Sequence, residues 1–277
     1  MRTLIFGGSG QLGHDLLATH PGVVLSPDHR WCDVRDRDNV RRWMENAEPD
    51  VVVNAAAFHD VAACEDDIEQ AFDVNALGAY NVAAEAAVFG APCVYISTDY
   101  VFDGLVGNSV EDDPTWPCNV YGASKAAGEI LVREANPNAY IIRTQALYGR
   151  TPPSGKPGGN FPSRILFRAR RGDHIEVVDD QYTCPTWTHD LATRVWELTA
   201  LGRPGVYHVA NSGVTSWYGL AKEVCAIWDI DADIVPVMTQ PGGVPRPAAA
   251  MLTDTQMALQ GLTPMRGWRE ALRGYFT

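Results

Sequence analysis

Short, mostly apolar runs alternate with longer amphipathic ones through the first half of the chain. The apolar runs are Thr3–Phe6, Val23–Leu25, Val51–Val53 and Cys93–Ile96. Helical spacing of apolar positions fills Gln11–Thr19, Arg37–Asn46 and Glu65–Phe89. A strand with no polar face must be covered on both sides, as strands of a parallel sheet are. Strands separated by helices predict right-handed βαβ units, and so an α/β fold with a doubly wound parallel sheet. A further unit follows, with a helix over Asn119–Glu134 and a strand over Tyr140–Arg143.

Beyond that point the pattern loosens. Arg150–Gly159 holds three prolines and three glycines and reads as a loop. Gly205–Val209 reads as a strand. Ser216–Trp228 reads as a helix with Ser216 as its N-cap. Pro236–Pro247 is loop, and Gly267–Phe276 is a terminal helix. This asymmetry predicts a dinucleotide-binding domain over 1–145 and 185–215. A smaller, discontinuous substrate-binding domain is expected over 146–184 and 216–277, with ligands in the cleft between the two.

Composition narrows the function. Of 277 residues, 46% are hydrophobic and 20% charged, which fits a folded globular chain. A formal charge of -12 repels nucleic acid and anionic membrane, so neither is expected as a partner. Cys32, Cys64, Cys93, Cys118, Cys184 and Cys225 form no C-x-x-C pair, so neither a zinc site nor a disulfide framework is read. The histidines show no metal-ligand spacing, and no metal is expected. Met1-Arg2-Thr3 runs straight into Leu4–Gly7, which reads as a chain without a signal peptide. No apolar stretch approaches membrane-spanning length. The expected location is the cytoplasm.

The chemistry begins where the first strand ends. Gly7-Gly8-Ser9-Gly10-Gln11-Leu12-Gly13 joins that strand to a helix. Glycines there let the chain turn tightly and let a pyrophosphate approach the N–H groups of the helix start. The position makes the motif a Rossmann-type dinucleotide site. After the second strand come Asp28, His29 and Arg30. An acid at Asp28 suits the ribose of NADH, whereas His29 and Arg30 suit the 2′-phosphate of NADPH. NADPH is the expected cofactor, with NADH as the alternative.

Tyr121-Gly122-Ala123-Ser124-Lys125 opens the helix that follows the fourth strand. Residues four apart share a helical face. A nearby ammonium is expected to lower the phenol pKa and suit Tyr121 to proton transfer. Thr98 ends the fourth strand at the edge of the sheet where ligands bind.

These residues together resemble the extended short-chain dehydrogenases, and within them the dTDP-4-dehydrorhamnose reductase family. The resemblance rests on Gly7–Gly13, Asn54–Ala57, Ser97–Gly104, Tyr121–Lys125 with Gly128-Glu129, Arg143-Thr144, Asp180-Gln181, Pro185-Thr186, Arg246-Pro247 and Trp268. It implies reduction of a nucleotide-linked 4-keto-6-deoxysugar by NAD(P)H. Tyr121 would protonate the alkoxide, Lys125 would bind the nicotinamide ribose, and Thr98 would hold the ketone. Gly7, Gly10, Gln11, Leu12 and Gly13 would surround the pyrophosphate. Asp33 and Val34 would lie near adenine, and Ala55, Ala56 and Ala57 would line the cofactor cleft. The substrate side would comprise His59, Val61, Tyr100, Val101, Ala146 and Arg246. A homodimer is compatible with this reading.

Tyr100 stands where related dehydratases carry the glutamate that removes a carbon-bound proton, which favours reduction over elimination. Two positions depart from the family pattern. Ala146 replaces a tryptophan, and His59 replaces a threonine. The rival expectations are a related ketoreductase or epimerase on another substrate, and a non-catalytic regulatory subunit like the β subunit of methionine adenosyltransferase. The basic stretch Arg164, Arg168, Arg170 and Arg171 reads as a solvated helical face. Trp187, Trp217 and Trp268 read as core.

Overall fold

The computed structural model describes residues 1–105, 107–152, 158–201, 203–249 and 251–277. In chain order its elements begin β1 (Arg2–Phe6), α1 (Gln11–Thr19), β2 (Val23–Leu25), α2 (Arg37–Ala47) and β3 (Val51–Asn54). Then come α3 (Val61–Asp66), α4 (Ile68–Phe72), α5 (Ala79–Val88), β4 (Cys93–Thr98), α6 (Val120–Ala135) and β5 (Ala139–Thr144). The second half holds β6 (Leu147–Tyr148), α7 (Phe161–Arg170), β7 (Ile175–Val178), β8 (Tyr182–Thr183), β9 (Thr186–Trp187) and α8 (Thr188–Leu201). It closes with β10 (Gly205–His208), β11 (Thr215–Ser216), α9 (Trp217–Ile227), β12 (Ile234–Val237), α10 (Gln256–Leu259) and α11 (Trp268–Phe276).

Six strands make one parallel sheet in the order β2-β1-β3-β4-β5-β10. The chain steps from β1 out to β2, then crosses back over β1 to β3. That reversal opens a crevice beyond the carboxyl ends of β1 and β3, the place where open α/β sheets bind ligands. Alternation along β1 explains its apolar character. Leu4 and Phe6 face α2 and α5, with Val40, Met44, Val52, Val82, Tyr95 and Ile141. Ile5 faces α1 and α8, with Leu16, Val53, Val94, Ile142, Leu191 and Val195. Burying each such aliphatic side chain stabilises the fold by about 1.5–3 kcal/mol.

The helix expected over Glu65–Phe89 is interrupted. At Asp67 the backbone leaves the helical region (φ -136°), and the carboxylate accepts from Gln70 N to start α4. Asp60 starts α3 the same way, accepting from Ala62 N and Ala63 N. Aspartate competes for backbone N–H groups in this manner, so it favours helix starts over interiors. Between α4 and α5 the chain widens into a π-helical turn over Asp73–Gly78. Ser216 caps α9 as expected, taking Gly219 N at 3.0 Å.

A second core lies beyond the main sheet. Parallel strands β7 and β12 and helices α7, α9 and α11 enclose Ile165, Ile175, Val177, Leu220, Val224, Trp268 and Leu272. Trp187 is buried in the same cluster and Trp217 packs against it. The tail does not stay within this unit. Met257 and Met265 are buried in the main-sheet cluster with Ile5 and Leu16. Met257 and Met265 find their burial against β10 and α8, while Trp268, Ala271 and Leu272 further along pack with α9. Of the loop expected over Arg150–Gly159, residues 153–157 lie outside the described residues. Among the described residues no helix is long and apolar enough to cross a membrane.

Candidate active site

The glycine-rich turn follows β1 directly. Gly7 has φ +83°, and a Cβ there would sit 2.6 Å from the backbone of Ala55 and Ala56. The turn after β1 and the run after β3 are therefore pressed together, with no room for a side chain between them. A Cβ on Gly13 would strike Gly7 O and the backbone of Gly8. Gly10 N donates to Gly7 O at 3.1 Å, and Gly10 is the N-cap of α1. Unlike α2, α6, α7 and α9, which are capped by Asp36, Asn119, Asn160 and Ser216, α1 has no side-chain cap. Its first-turn N–H groups face the crevice, with no acidic residue in the first turn. Gln11 Oε1 is buried there with no hydrogen-bond partner among the described residues. Such a cradle fits a dinucleotide diphosphate. Gly7, Gly10, Gln11 and Gly13 are brought together here, beside half-buried Ala55, Ala56 and Ala57. Leu12 turns its side chain into the core, 7% exposed.

Asp28, His29 and Arg30 form one cluster beyond β2. Arg30 donates to Asp28 Oδ1 through N and Nε, both at 2.9 Å. His29 Nδ1 lies 3.3 Å from the same oxygen. The guanidinium and N–H of Arg30 hold the Asp28 carboxyl down to about 2. The two cofactor cues are thus bonded to each other. Asp33 is paired with Arg35 at 2.6 Å, while Val34 is buried against the main core.

Thr98 ends β4 opposite Thr144 on β5. Asn119 caps α6 through Gly122 N at 2.8 Å, and Glu65 of α3 takes Val120 N at 2.8 Å. Together they fix the turn that carries Tyr121. Lys125 is 1% exposed. Its ammonium donates to Ile96 O at 2.6 Å and sits 3.8 Å above the Tyr95 ring. Burial pushes the amine down to about 7, against the opposing pull of Glu129. Burial likewise drives the Tyr121 phenol above its ordinary range, with hydrogen bonding from Thr98 pulling it back. The expected lowering by Lys125 is therefore reversed. Desolvation acts on both groups, and the amine is turned to a carbonyl rather than to the phenol.

On the substrate side, the Tyr100 ring meets Tyr121 edge-on at 5.7 Å, and Arg246 Nη1 donates to the Tyr100 hydroxyl at 3.0 Å. Tyr100, Tyr121 and Arg246 thus gather at one mouth. Val101 does not face it; the side chain is fully buried with Phe102 and Ala126. Val61 is also buried, at the first turn of α3, while His59 is half-buried in the preceding loop. Ala146 follows β5 with φ +44°, a left-handed conformation uncommon for a residue with a Cβ.

Sequence patterning misses the supports of this centre. Asn75, in the π-helical turn, accepts from Phe58 N and donates to Phe58 O and Ser124 Oγ, each at 2.9 Å. It ties the run after β3 to α6. Glu129, one turn beyond Lys125, binds Arg143 at 2.7 Å and accepts from Ser97 Oγ at 2.5 Å. The wide turn at Asn75 leaves no periodicity to read, because it is itself an irregularity in a helix. Glu129 was visible only as part of a motif.

The comparisons with known proteins agree with this geometry. The family model described as the RmlD substrate binding domain matches residues 1–277. The spore coat polysaccharide biosynthesis protein SpsK of Bacillus subtilis is 39% identical, over 99% of this chain and 96% of its own. A dTDP-4-dehydrorhamnose reductase of Mycolicibacterium smegmatis is 38% identical, over 98% of this chain and 84% of its own. The crystal structure of dTDP-4-dehydrorhamnose reductase from Bacillus anthracis in complex with NADP superposes with a TM-score of 0.94 at 33% identity, covering 99% of this chain and 98% of that one. Matched from end to end in sequence and in fold, the chain belongs to the dTDP-4-dehydrorhamnose reductase family of extended short-chain dehydrogenases.

Proposed function

We propose that the protein reduces the ketone of a dTDP-linked 4-keto-6-deoxysugar with NADPH, and accepts NADH less well. The observation that carries this reading is the grouping of Thr98, Tyr121 and Lys125 at the carboxyl edge of the sheet that also carries the uncapped glycine cradle. Gly7, Gly10 and Gly13, with the first-turn N–H groups of α1, hold the diphosphate. Bound there, the nicotinamide cofactor supplies the hydride.

The rest falls to side chains. Thr98 and Tyr121 hold the substrate oxygen by hydrogen bonds. As negative charge develops on that oxygen, Tyr121 gives up its phenolic proton. A phenol raised by burial stays protonated at neutral pH, which suits a proton donor. Lys125, buried and held by Ile96 O, offers its remaining protons to the cofactor ribose. Arg246 and Tyr100 border the mouth and contact the nucleotide-sugar. The six free thiols fit a reducing cytoplasm.

The test is absorbance loss on mixing the protein with NADPH and a panel of dTDP-linked 4-keto-6-deoxysugars. Consumption of NADPH with at least one sugar is expected. Cofactor binding without turnover on any of them would remove this reading in favour of the regulatory subunit.

A further inference from the structure

Six buried side-chain polar atoms have no hydrogen-bond partner among the described residues. Tyr148 Oη and Trp187 Nε1 belong to the second core, and Gln260 Oε1 to the tail. The other three lie along the carboxyl edge of the main sheet. Gln11 Oε1 is in the glycine cradle, and Asn54 Nδ2 and Thr144 Oγ1 stand on the last residues of β3 and β5. Buried polar atoms are nearly always satisfied, so an orphan at a ligand-binding edge calls for a reason. The register separates the two strand-end orphans. Thr144 pairs with Thr98, as Ile142 pairs with Ile96 two residues earlier. Alternate residues of a strand share one face. That face carries Ile142, Ile96, Leu12 and Leu16, and α1 covers it. Thr98, Thr144 and the cradle at the start of α1 thus lie on one side of the sheet. Asn54 falls two residues beyond Val52 on the other side, and its oxygen already takes Ala56 N at 3.1 Å. Thr144 is 4% exposed. Its polar neighbours are engaged. Thr98 Oγ1 donates to Asp99 Oδ1 at 3.0 Å and accepts from Tyr100 N at 3.2 Å. Ser97 Oγ donates to Glu129, Lys125 Nζ donates to Ile96 O, and Gln145 Oε1 accepts from Thr183 Oγ1 at 3.3 Å.

We propose that the Thr144 hydroxyl binds the carboxamide of the nicotinamide ring and fixes which face of the ring meets the ketone. This rests on the cofactor and ketone placement proposed above. Hydride leaves C4 of the ring, and the carboxamide is carried on C3, the next atom. Reaction needs C4 within about 3–3.5 Å of the ketone carbon that Thr98 and Tyr121 hold. Neighbouring strands lie about 4.8 Å apart, so the group on C3 comes within reach of the residue beside Thr98. A hydroxyl can accept from the carboxamide N–H or donate to its oxygen. Either bond satisfies an atom that folding alone leaves bare. It also opposes rotation of the ring about its bond to ribose, which would present the wrong face.

Thr144→Val keeps the branched shape and removes the hydroxyl, whereas Thr144→Ser keeps the hydroxyl. Calorimetry on each would compare NADPH with 2′-phospho-ADP-ribose, which is the cofactor without its nicotinamide. Thr144→Val should weaken NADPH about five- to tenfold, what one neutral hydrogen bond contributes, and leave 2′-phospho-ADP-ribose unchanged. Thr144→Ser should bind both as wild type does. Without ligand, the melting temperature of Thr144→Val should hold or rise, because a buried hydroxyl with no partner is replaced by an apolar group. Unchanged NADPH affinity in Thr144→Val overturns the proposal, as does an equal loss for both ligands. A variant that melts well below wild type or fails to fold overturns it too, since the hydroxyl would then serve the fold. None of these measurements needs a keto-sugar. Wild type that binds NADPH but reduces no keto-sugar removes the reductase reading, and the two titrations still decide the carboxamide contact. Wild type that binds neither ligand removes both.

Discussion

The glycine cradle and the Tyr121 pocket sit on one sheet edge and are built in opposite ways. The cradle is backbone. It works by what is missing: no Cβ at Gly7, and no side-chain cap on α1. The pocket is side chain and burial. Lys125 at 1% exposure and Asp99 at 8% have their proton affinities set by desolvation more than by any neighbour. The difference teaches where each kind of site can be damaged. A cradle fails when an atom is added, and a pocket fails when a proton or a charge is removed.

The largest expected effect is in the pocket. Tyr121→Phe keeps the ring against Tyr100 and removes the donor proton. Turnover should drop about 10²–10⁴-fold, with NADPH affinity nearly intact in calorimetry. Full activity in this variant would break the contrast, because the pocket would then be dispensable. Glu129→Gln comes next. It leaves Arg143, 4% exposed, without its carboxylate partner. Loss of one partner of a buried ion pair destabilises by about 3–5 kcal/mol. The urea midpoint should fall by a corresponding amount with an unchanged slope. An unshifted midpoint would mean that Glu111 O and His208 already satisfy Arg143.

Gly10→Val tests the cradle. Its Cβ would lie 3.3 Å from Gly7 O, tight but tolerable, and its methyl groups would project where a diphosphate approaches. NADPH affinity should fall at least roughly tenfold, about what one lost charge-assisted hydrogen bond removes, while thermal stability changes little. Equal affinity in calorimetry would place the diphosphate elsewhere. The smallest effect is at the rim. Arg30→Ala frees Asp28 and removes a cation from the 2′-phosphate position. NADPH should weaken roughly tenfold and NADH should hardly change, which titration of both cofactors can compare. Equal losses would assign Arg30 to holding Asp28 alone.

Much of the fold was legible along the chain because its signals are local. β1, β3 and β4 are short apolar runs, and the turn Gly7–Gly13 falls between a strand and a helix. Ser216 and Asn119 announce helix starts by residue type. The break at Asp67 was missed although its aspartate is a cap former, since the apolar spacing continues across it. The same periodicity hid the wide turn that positions Asn75. The return of Met257 and Met265 to the main core was not legible either, because two methionines in a loose segment carry no direction.

The sequence by itself determined the parallel sheet, the cradle and the pairing of Tyr121 with Lys125 one helical turn apart. Only the tertiary structure decided what that pairing does. Spacing suggested an ammonium lowering a phenol. In the fold, Lys125 turns to Ile96 O and burial raises the phenol instead. It also decided that Val101 packs with Phe102 and Ala126, that Arg30 is bonded to Asp28, and that Asp99 is buried with no cation beside it among the described residues. The physical reason is the range of the forces involved. Helix caps, turns and i to i+4 neighbours are set within a few residues. Desolvation depends on every element that closes over a group, and those elements come from β4, β5, α6 and the tail at once.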